Sequence, residues 1–308
     1  MISVVMLAYN RESLVTRAIE SILAQTFRDF EFIIVNNGST DRSGAIADDY
    51  AAKDARIGVI HRAHGNIGSG RNAGLDASRG EWIAFVDDDD WCEPDFLEFL
   101  HRLAVENGAD VAICGAAGRA FDEKRIMNAE EALIELMWRK RYNVQFPTKL
   151  LRRELFDHAR FSREAKYDDI DLMPKILAGV NRVAYHGLPK YTFFRHPGNN
   201  SAWTTNHALL NSATLGEYLR VYRERTQWLT ERFPDSAATW RYFEWSFMIS
   251  MVDKITRLGT VDCNDLRSSM LADLCEHCKD FLNSPHILEF EREWVNKYLY
   301  VTSEPALQ

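Results

Sequence analysis

Short apolar runs alternate with amphipathic stretches through the first third of the chain, and this alternation limits the possible folds more strongly than any other feature. Apolar runs cover residues 2–8, 31–35, 57–61 and 82–86, with helical periodicity at 11–25 and 43–52 between them. Such runs are typical of buried strands that are joined by crossover helices in a parallel sheet. The sequence therefore predicts an α/β domain with a mostly parallel central sheet and flanking helices.

The rest of the chain divides into further α/β elements and a helical end. Strands are predicted at residues 110–115, 182–185 and 191–195, and helices at 129–139 and 169–177. From about residue 206, long helical periods rich in Trp, Leu and Phe predict a helical carboxy-terminal lobe. A length of 308 residues suits one large domain with a smaller appendage. We therefore expect a domain over 1–205, with halves 1–115 and 116–205, and a helical region over 206–308.

Composition excludes several classes of function. The formal net charge of -8 provides no broad basic face, so we expect no nucleic-acid partner. The apolar runs are shorter than the roughly 18 residues of a spanning helix, and the apolar start is too short for a signal peptide. The five cysteines are odd in number and sparse, which favours a reducing compartment. We expect a cytoplasmic protein, with peripheral contact at the inner face of the membrane left open.

Four consecutive aspartates, Asp87 to Asp90, follow the fourth apolar run. Carboxylates this close repel each other and raise each other's pKa unless a cation neutralises them. Mg²⁺ and Mn²⁺ prefer such hard oxygen ligands, and they usually combine one or two carboxylates with the oxygens of a diphosphate. The run therefore predicts a site for a metal and a diphosphate. A solvated loop that caps the helix near Pro94 is the alternative.

Four segments in a fixed order carry a resemblance to a known family. They are ISVVMLAYN at residues 2–10, IVNNGSTD at 34–41, NIGSGRNAG at 66–74 and the aspartate run at 87–90. In residues, order and spacing they resemble glycosyltransferase family 2, strongly over roughly the first hundred residues, moderately to about Pro197 and not beyond. The resemblance implies a GT-A fold and metal-dependent, inverting transfer of a sugar from a nucleoside diphosphate.

The resemblance also implies roles for individual residues near the predicted strand ends. The nucleotide sugar would contact Leu7, Ala8, Tyr9, Asn10, Asn37, Ser39, Arg71, Asp87 and Asp88. Asp88 would face the ribose, and Arg71 would lie beside the base or the phosphates unless it is an ordinary surface arginine. Asp87 and Asp89 match the first and last aspartates of the family's DxD motif. Asp89 would then bind Mn²⁺ or Mg²⁺ directly, with Asp90 in support.

Two departures from the family pattern bear on the donor. Leu7 replaces a usual proline or threonine, and Asn36 and Asn37 replace two usual aspartates. The amide of Asn37 can accept the N3–H of uracil and donate to a neighbouring carbonyl, but without charge assistance. A UDP-sugar therefore stays the expected donor. Turn formation alone is the alternative role of the two asparagines.

A second pair of carboxylates lies within YDDIDL at residues 167–172. This segment resembles the family's EDxDL motif, in which Asp169 takes the position of the catalytic base. Inverting transfer needs one group to remove the proton of the acceptor hydroxyl, while a metal stabilises the leaving diphosphate. Complementing the dipole at a helix start is the alternative role of Asp168 and Asp169. Further on, His196 lies in a segment similar to a family loop whose histidine approaches the metal, or it is an ordinary hydrogen-bonded residue.

The acceptor is less well defined than the donor. Residues 147–156 resemble a segment of bacterial surface-polysaccharide members, without the tryptophan and asparagine that usually precede it. The resemblance implies transfer of a hexose or N-acetylhexosamine to a saccharide or a lipid-linked saccharide. The aromatic carboxy-terminal helices leave a homodimer open.

Two other classes of protein stay open as alternatives. A sugar nucleotidyltransferase would carry a glycine-rich basic loop directly after the first strand, and residues 7–12 lack one. A noncatalytic module that binds a nucleotide sugar or a divalent metal would use the aspartate run alone.

Overall fold

Two compact units make up the chain, Met1–Arg195 and His196–Gln308. The computed structural model describes residues 1–118, 121–162, 167–196, 198–199 and 209–300. The predicted boundary between residues 205 and 206 lies outside the described residues.

A nine-stranded sheet forms the centre of the described part of the first unit. Its strands are β1 (Ile2–Ala8), β2 (Phe30–Asn36), β3 (Ile57–His61), β4 (Trp82–Asp87), β5 (Trp91–Cys92), β6 (Val111–Ala116), β7 (Lys124–Met127), β8 (Lys149–Arg152) and β9 (Val183–Thr192). They pair in the order β3-β2-β1-β4-β8-β6-β9-β5, and β7 also pairs with β9. The helices of this unit are α1 (Val15–Leu23), α2 (Ser43–Ala51), α3 (Ile67–Ala77), α4 (Phe96–Glu106), α5 (Ala129–Trp138) and α6 (Asp168–Leu177).

The directions of the strands determine which loops meet. β1 is parallel to β2 and β4, and β2 is parallel to β3. β8 is antiparallel to both β4 and β6, so β6 runs in the same direction as β4, and β9 is parallel to β6. The carboxyl ends of β1, β2, β4 and β6 therefore lie along the same edge of the sheet, where open α/β sheets bind ligands. The predicted α/β fold is confirmed.

Burial explains why the first strands are visible in the sequence. All seven residues of β2 are buried, and successive side chains of a strand point to opposite faces, so both faces of β2 are covered. Strands covered on both faces appear as continuous apolar runs instead of alternating ones. The predicted bounds of β1 are confirmed, and this strand is buried along almost its whole length. The predicted bounds of β3 are confirmed as well, although only Ile57 of this strand is buried.

The fold differs from the sequence prediction at three places. Helix α3 occupies residues 67–77, where no helix is predicted from the sequence. Strand β9 is continuous where two strands are predicted, although its pairing with β6 has a register shift beside Gly115. Strands β7 and β8 are four residues long, which is too short for alternation to show in the sequence.

Glycines allow α3 to lie directly against β1. A Cβ atom on Gly70 would lie 2.3 Å from Cδ1 of Leu7, and one on Gly74 would lie 2.3 Å from Cγ1 of Val5. Glycine is a poor helix former, but these positions have no room for a methyl group. The close contact determines where α3, and with it Arg71, lies relative to the sheet.

Helices form the described part of the second unit. They are α7 (Ser212–Arg232), α8 (Ala237–Leu258), α9 (Asn264–Glu276), α10 (Cys278–Leu282) and α11 (Glu289–Val295). α8 packs against α7 and α9 and contributes the buried side chains of Trp240, Tyr242 and Trp245. The predicted helical lobe is confirmed. No helix in the described residues combines the length and the apolarity that crossing a bilayer requires.

Replacement of Gly74 by alanine tests the contact between α3 and β1. We expect Gly74→Ala to lower the free energy of unfolding by about 1–3 kcal/mol, because the clash with Val5 exceeds the gain in helix propensity. Gly58→Ala is the control, since a Cβ at Gly58 would meet nothing within 4 Å. Urea denaturation measures both variants. Equal stability of the two variants would show that the contact is not tight.

Candidate functional site

The turn after β4 places its aspartates in different surroundings. Asp88 accepts a hydrogen bond from the backbone N–H of Tyr9 at 2.8 Å. Asp90 accepts one from the hydroxyl of Tyr191 at 2.8 Å and another from the backbone N–H of Phe194 at 2.7 Å. Both oxygens of Asp90 are therefore used inside the protein, which is consistent with a supporting role.

Burial makes these carboxyl groups hard to ionise. It raises the pKa of Asp88 to about 8, and the neighbouring Asp89 adds to the rise. It likewise raises the pKa of Asp90 to about 8. For Asp87, burial outweighs the nearby Arg71, and its pKa rises to about 6 with help from Asp89 and Asp169. Carboxyl groups in this state are stabilised by positive charge, which a divalent cation would supply.

Direct metal binding by Asp89 stays a prediction, and the structure shows what surrounds this residue. It is buried, and Nε of Arg11 lies 3.8 Å from its Oδ2. The guanidinium of Arg17 binds the backbone carbonyl of Asp89 at 2.8 Å, which fixes the turn from outside. Within the described residues, no group of three or more Asp, Glu, His or Cys side chains is arranged around a common point. Mg²⁺ commonly binds one or two carboxylates and completes its shell with substrate oxygens and water.

Arg71 joins the two carboxylate centres. Its Nη1 donates to Oδ1 of Asp169 at 2.5 Å, and its Nη2 donates to Oδ1 of Asp87 at 3.4 Å. Only 8% of Arg71 is exposed, so the alternative role as a surface arginine is wrong. The aspartate run after β4 and the start of α6 therefore lie at one place.

Three phenylalanines surround the guanidinium of Arg71. The rings of Phe85, Phe146 and Phe161 have their centroids 5.9, 5.8 and 5.3 Å from its Cζ. Guanidinium groups are attracted to ring faces, and the apolar surroundings strengthen the ion pairs by excluding water. The rings hold the guanidinium between the carboxylates.

A buried lysine holds the loop that carries Phe146. Lys149 is fully buried, and its ammonium donates to the carbonyls of Asn143 at 2.9 Å and Gln145 at 2.5 Å. Burial lowers the pKa of Lys149 to about 7. The sequence does not reveal this role, because a lysine inside an apolar strand gives no sign of its partners.

The two asparagines after β2 have different roles. The side chain of Asn36 accepts from the backbone N–H of Ser39 at 3.0 Å, as in a turn. Asn37 is buried, and its Nδ2 donates to the carbonyl of Gly65 at 2.7 Å. Its Oδ1 accepts no hydrogen bond from the described residues. Turn formation therefore accounts for Asn36 but leaves the acceptor of Asn37 unused.

Two further residues near Asn37 escape the sequence analysis. Nη1 of Arg62 is buried and donates to no atom of the described residues. A Cβ atom built onto Gly65 would lie 3.6 Å from Nη2 of Arg62 and 3.9 Å from Oδ1 of Asn37. The guanidinium of Arg62 and the unused acceptor of Asn37 therefore lie close together. Tyr9 stacks on His64 with ring centroids 4.2 Å apart. Arg62 and His64 belong to no motif, and only their position after β3 hints at the site.

The other predicted contacts of the nucleotide also lie at the carboxyl ends of β1 and β2. The backbone N–H of Asn10 donates to the hydroxyl of Ser39 at 3.1 Å, and Asn10 has a left-handed φ of 51°. The carbonyl of Ala8 accepts from the backbone N–H of Asn37 at 2.9 Å. Leu7 contacts α3 at Gly70, as described above. These residues shape the edge of the sheet mainly through their backbone.

His196 belongs to the second unit. Nδ1 of the His196 ring accepts from the backbone N–H of Gly198 at 3.2 Å, and the backbone N–H of His196 donates to Oδ1 of Asn199 at 2.7 Å. The hydrogen bonds fit an ordinary turn residue, and metal binding by His196 stays a prediction.

The chain is similar in sequence to curated bacterial proteins. The chain is 43% identical over 124 residues to the uncharacterized glycosyltransferase EpsJ of Bacillus subtilis, which covers 40% of this chain and 36% of EpsJ. It is 29% identical over 217 residues to the succinoglycan biosynthesis protein ExoO of Rhizobium meliloti, which covers 65% of this chain and 62% of ExoO. The matches thus span less than two thirds of either relative.

A solved structure and a family model complete the comparison. S. aureus TarS residues 1–349, crystallised with UDP-GlcNAc, superimposes with a TM-score of 0.70 at 21% identity, over 89% of this chain and 80% of that chain. This likeness confirms the predicted GT-A fold. The model of the family described as glycosyl transferase family 2 matches residues 3–165, which is more than half of the chain. With the fold, the edge of the sheet and the family model in agreement, the chain belongs to glycosyltransferase family 2.

Proposed function

We propose that the chain transfers a hexose or an N-acetylhexosamine, with inversion, from a nucleoside-diphosphate sugar to a saccharide or lipid-linked saccharide acceptor. The observation that carries the proposal is the bridge from Asp87 through Arg71 to Asp169, because it puts a diphosphate-binding corner beside a candidate base. ExoO is a succinoglycan biosynthesis protein, which supports a role in surface-polysaccharide assembly. On this proposal residues 1–205 contain the reaction, and dimerisation through the carboxy-terminal helices stays a prediction.

UDP is the donor nucleotide that Asn37 favours. Nδ2 of Asn37 donates to the backbone carbonyl of Gly65, and rotating the amide by 180° would put two oxygens against each other. The orientation of the amide is therefore fixed, and Oδ1 remains an acceptor for a ligand. Uracil carries a hydrogen on N3 and satisfies this acceptor, whereas cytosine presents a second acceptor. Arg62 offers a donor group nearby for a carbonyl of the base. TarS was crystallised with UDP-GlcNAc, which supports the same nucleotide.

Asp89 is the residue proposed to hold Mn²⁺ or Mg²⁺. The carboxylates of the turn are hard oxygen ligands, so the donor set fits such a cation. The bound cation would stabilise the charge that develops on the leaving diphosphate. Asp88 and Asp87 would then contact the ribose and the sugar diphosphate from the same turn.

Asp169 is proposed to remove the proton of the acceptor hydroxyl. The Arg71 ion pair and the phenylalanines around it hold the carboxylate in place beside Asp87. An acceptor oxygen that loses its proton to Asp169 attacks the anomeric carbon from the face opposite the diphosphate, which inverts that centre. A noncatalytic binding module would have no use for this carboxylate. A nucleotidyltransferase would need a basic loop directly after β1, where the chain has Tyr9, Asn10 and a single cation at Arg11.

Discrimination between UDP and CDP tests the role of Asn37. We expect the protein to bind UDP about tenfold to a hundredfold more tightly than CDP, because CDP leaves the Asn37 acceptor unsatisfied. Asn37→Ala should weaken UDP binding and abolish the preference. Asn107→Ala is the control, since its Nδ2 also donates to a backbone carbonyl, that of Leu103. Calorimetry in Mn²⁺ measures the affinities of the wild type and of both variants for UDP and CDP, and an unchanged preference in Asn37→Ala would refute the role.

Isosteric replacement of Asp169 tests the proposed base. Asp169→Asn keeps a hydrogen-bond acceptor for Arg71 but cannot take a proton, so turnover should fall by about 10²–10⁴-fold while UDP binding changes little. Asp171→Asn is the matched control, since Asp171 pairs with Lys175 on the same helix. Release of UDP from UDP-sugars, with and without saccharide acceptors, reports turnover. Full activity of Asp169→Asn would favour a binding module.

Loss of the Asp89 carboxylate should remove the effect of the metal. In the wild type, Mn²⁺ should tighten UDP binding, and a chelator should reverse this. In Asp89→Asn, the gain in UDP affinity that Mn²⁺ causes should be smaller by a factor of about ten or more, a loss of about 1.4 kcal/mol of binding free energy or more. The affinity for UDP without metal should stay the same. Asp49→Asn, an exposed aspartate on α2, is the control. Thermal shift and calorimetry test this, and identical metal responses in the two variants would contradict it.

A further inference from the structure

A basic pocket lies in the half of the first unit that the proposed donor site does not use. It has a volume of about 400 Å³ and is lined by Phe121, Arg139, Lys140 and Arg141. Three consecutive cations stand out on a chain whose formal net charge is -8. We call these four residues the basic pocket.

Strand directions place the basic pocket at the edge of the sheet that carries the aspartates. Phe121 lies in the loop after β6, and β6 runs in the same direction as β4. The backbone N–H of Phe121 donates to the carbonyl of Gly187 at 3.1 Å, which fastens the loop to β9. The pocket is thus on the rim where Asp87 ends β4, but several strands away from the nucleotide contacts.

The three cations of the basic pocket are not equivalent. Arg141 is neutralised by Glu123 at 2.9 Å and Glu135 at 2.8 Å, which also fixes its guanidinium. Lys140 is exposed and forms no ion pair within the described part of the chain, and its Nζ lies 5.1 Å from the Trp138 ring centroid. Positive charge is therefore available at the mouth of the pocket.

Arg139 has an unusual backbone at the pocket. It ends α5 with a φ of 54°, in the left-handed region where glycine or asparagine is normal. A long side chain at such a position costs stability, and strain of this kind is often kept where a side chain must be aimed at a ligand. Arg139 is exposed, and it lines the pocket.

A buried hydroxyl without a partner lies beside the same loop. Tyr185 has no exposed surface, and its hydroxyl forms no hydrogen bond with the described residues. A Cβ atom built onto Gly187 would lie 2.5 Å from this hydroxyl and 2.1 Å from the carbonyl oxygen of Phe121. The hydroxyl is therefore close to the loop that carries Phe121. Buried hydroxyls nearly always have a partner, so this one indicates a missing acceptor.

We propose that the basic pocket binds an anionic group of the acceptor, either a phosphate or a carboxylate attached to a sugar. The proposal rests on the proposed function, since it assigns a substrate class to the acceptor side of that reaction. Guanidinium groups match the oxygens of phosphate and carboxylate in pairs, and the exposed ring of Phe121 offers an apolar surface to the group that carries the anion. A concave pocket with one arginine locked by two glutamates suits a discrete anion better than a flat bilayer.

Binding of small anionic probes to the UDP-saturated protein tests the proposal. The probes are N-acetylglucosamine 1-phosphate, glucuronic acid and dodecyl phosphate, with uncharged N-acetylglucosamine as the negative probe. We expect at least one charged probe to bind and the uncharged probe not to bind. Binding of dodecyl phosphate alone would identify a lipid phosphate as the source of the anion, and binding of the sugar probes would identify a charged glycan.

Variants of the basic pocket locate the binding. The double variant Arg139→Gly and Lys140→Ala should weaken the probe about tenfold or more, because charge-assisted hydrogen bonds are lost. Glycine suits the left-handed position, so folding is not at risk. Tyr185→Phe should weaken the probe several-fold with little loss of thermal stability, because its hydroxyl forms no hydrogen bond with the described residues. Lys53→Ala, which removes an exposed cation of α2 elsewhere on the unit, should have no effect.

Three outcomes would overturn the proposal. They are no binding of any anionic probe, equal weakening by Lys53→Ala, and binding only to phosphatidylglycerol vesicles in a way that depends on Arg139 and Lys140. The last result would make the pocket a membrane contact. Binding of UDP itself separates this test from that of the donor site, because a protein that binds UDP but no probe loses only the acceptor proposal. A protein that fails to bind UDP loses the proposed function.

Discussion

A buried guanidinium between two carboxylates is the interaction on which the candidate site depends. An unpaired charge at the depth of Arg71 would cost several kcal/mol, so Arg71 requires anionic partners. One partner, Asp87, comes from the end of β4, and the other, Asp169, comes from α6, 98 residues further along the chain than Arg71. The pairing that satisfies Arg71 thus also sets the gap between the proposed diphosphate corner and the proposed base.

Unsatisfied polar atoms lie where the proposals place ligands. Folded proteins leave few buried donors or acceptors without partners, so such atoms are informative. Within the described residues, Oδ1 of Asn37 and Nη1 of Arg62 lack partners close to Gly65, and the hydroxyl of Tyr185 lacks one beside the basic pocket. An acceptor beside a donor group suits a nucleobase, and a hydroxyl beside cations suits an anion. The region around Asn37 and the basic pocket therefore suit different ligands, a nucleobase and an anion.

The sequence predicts the donor half better than the acceptor half, and the reason is physical. Strands such as β2 are buried on both faces and appear as unbroken apolar runs. Four neighbouring carboxylates repel each other unless positive charge neutralises them, so the aspartate run indicates a bound cation. Strands β7 and β8 are too short to show a hydrophobic period. Lys149 donates to a backbone carbonyl, and Arg62 has a donor atom without a partner in the described residues, and no local sequence pattern reveals either fact. Only the three-dimensional contacts show that Arg71 unites the two acidic motifs.

The two glycines of α3 give the site its scale. A methyl group at Gly70 would meet the side chain of Leu7, and one at Gly74 would meet that of Val5, so the two glycines let α3 pack closely on these side chains of β1. A larger residue at either position would move Arg71 outward and stretch its reach toward both acids. The position of Arg71 therefore depends on the absence of side chains at its neighbours on α3, so substitution at Gly70 and Gly74 is limited by the chemistry that Arg71 serves.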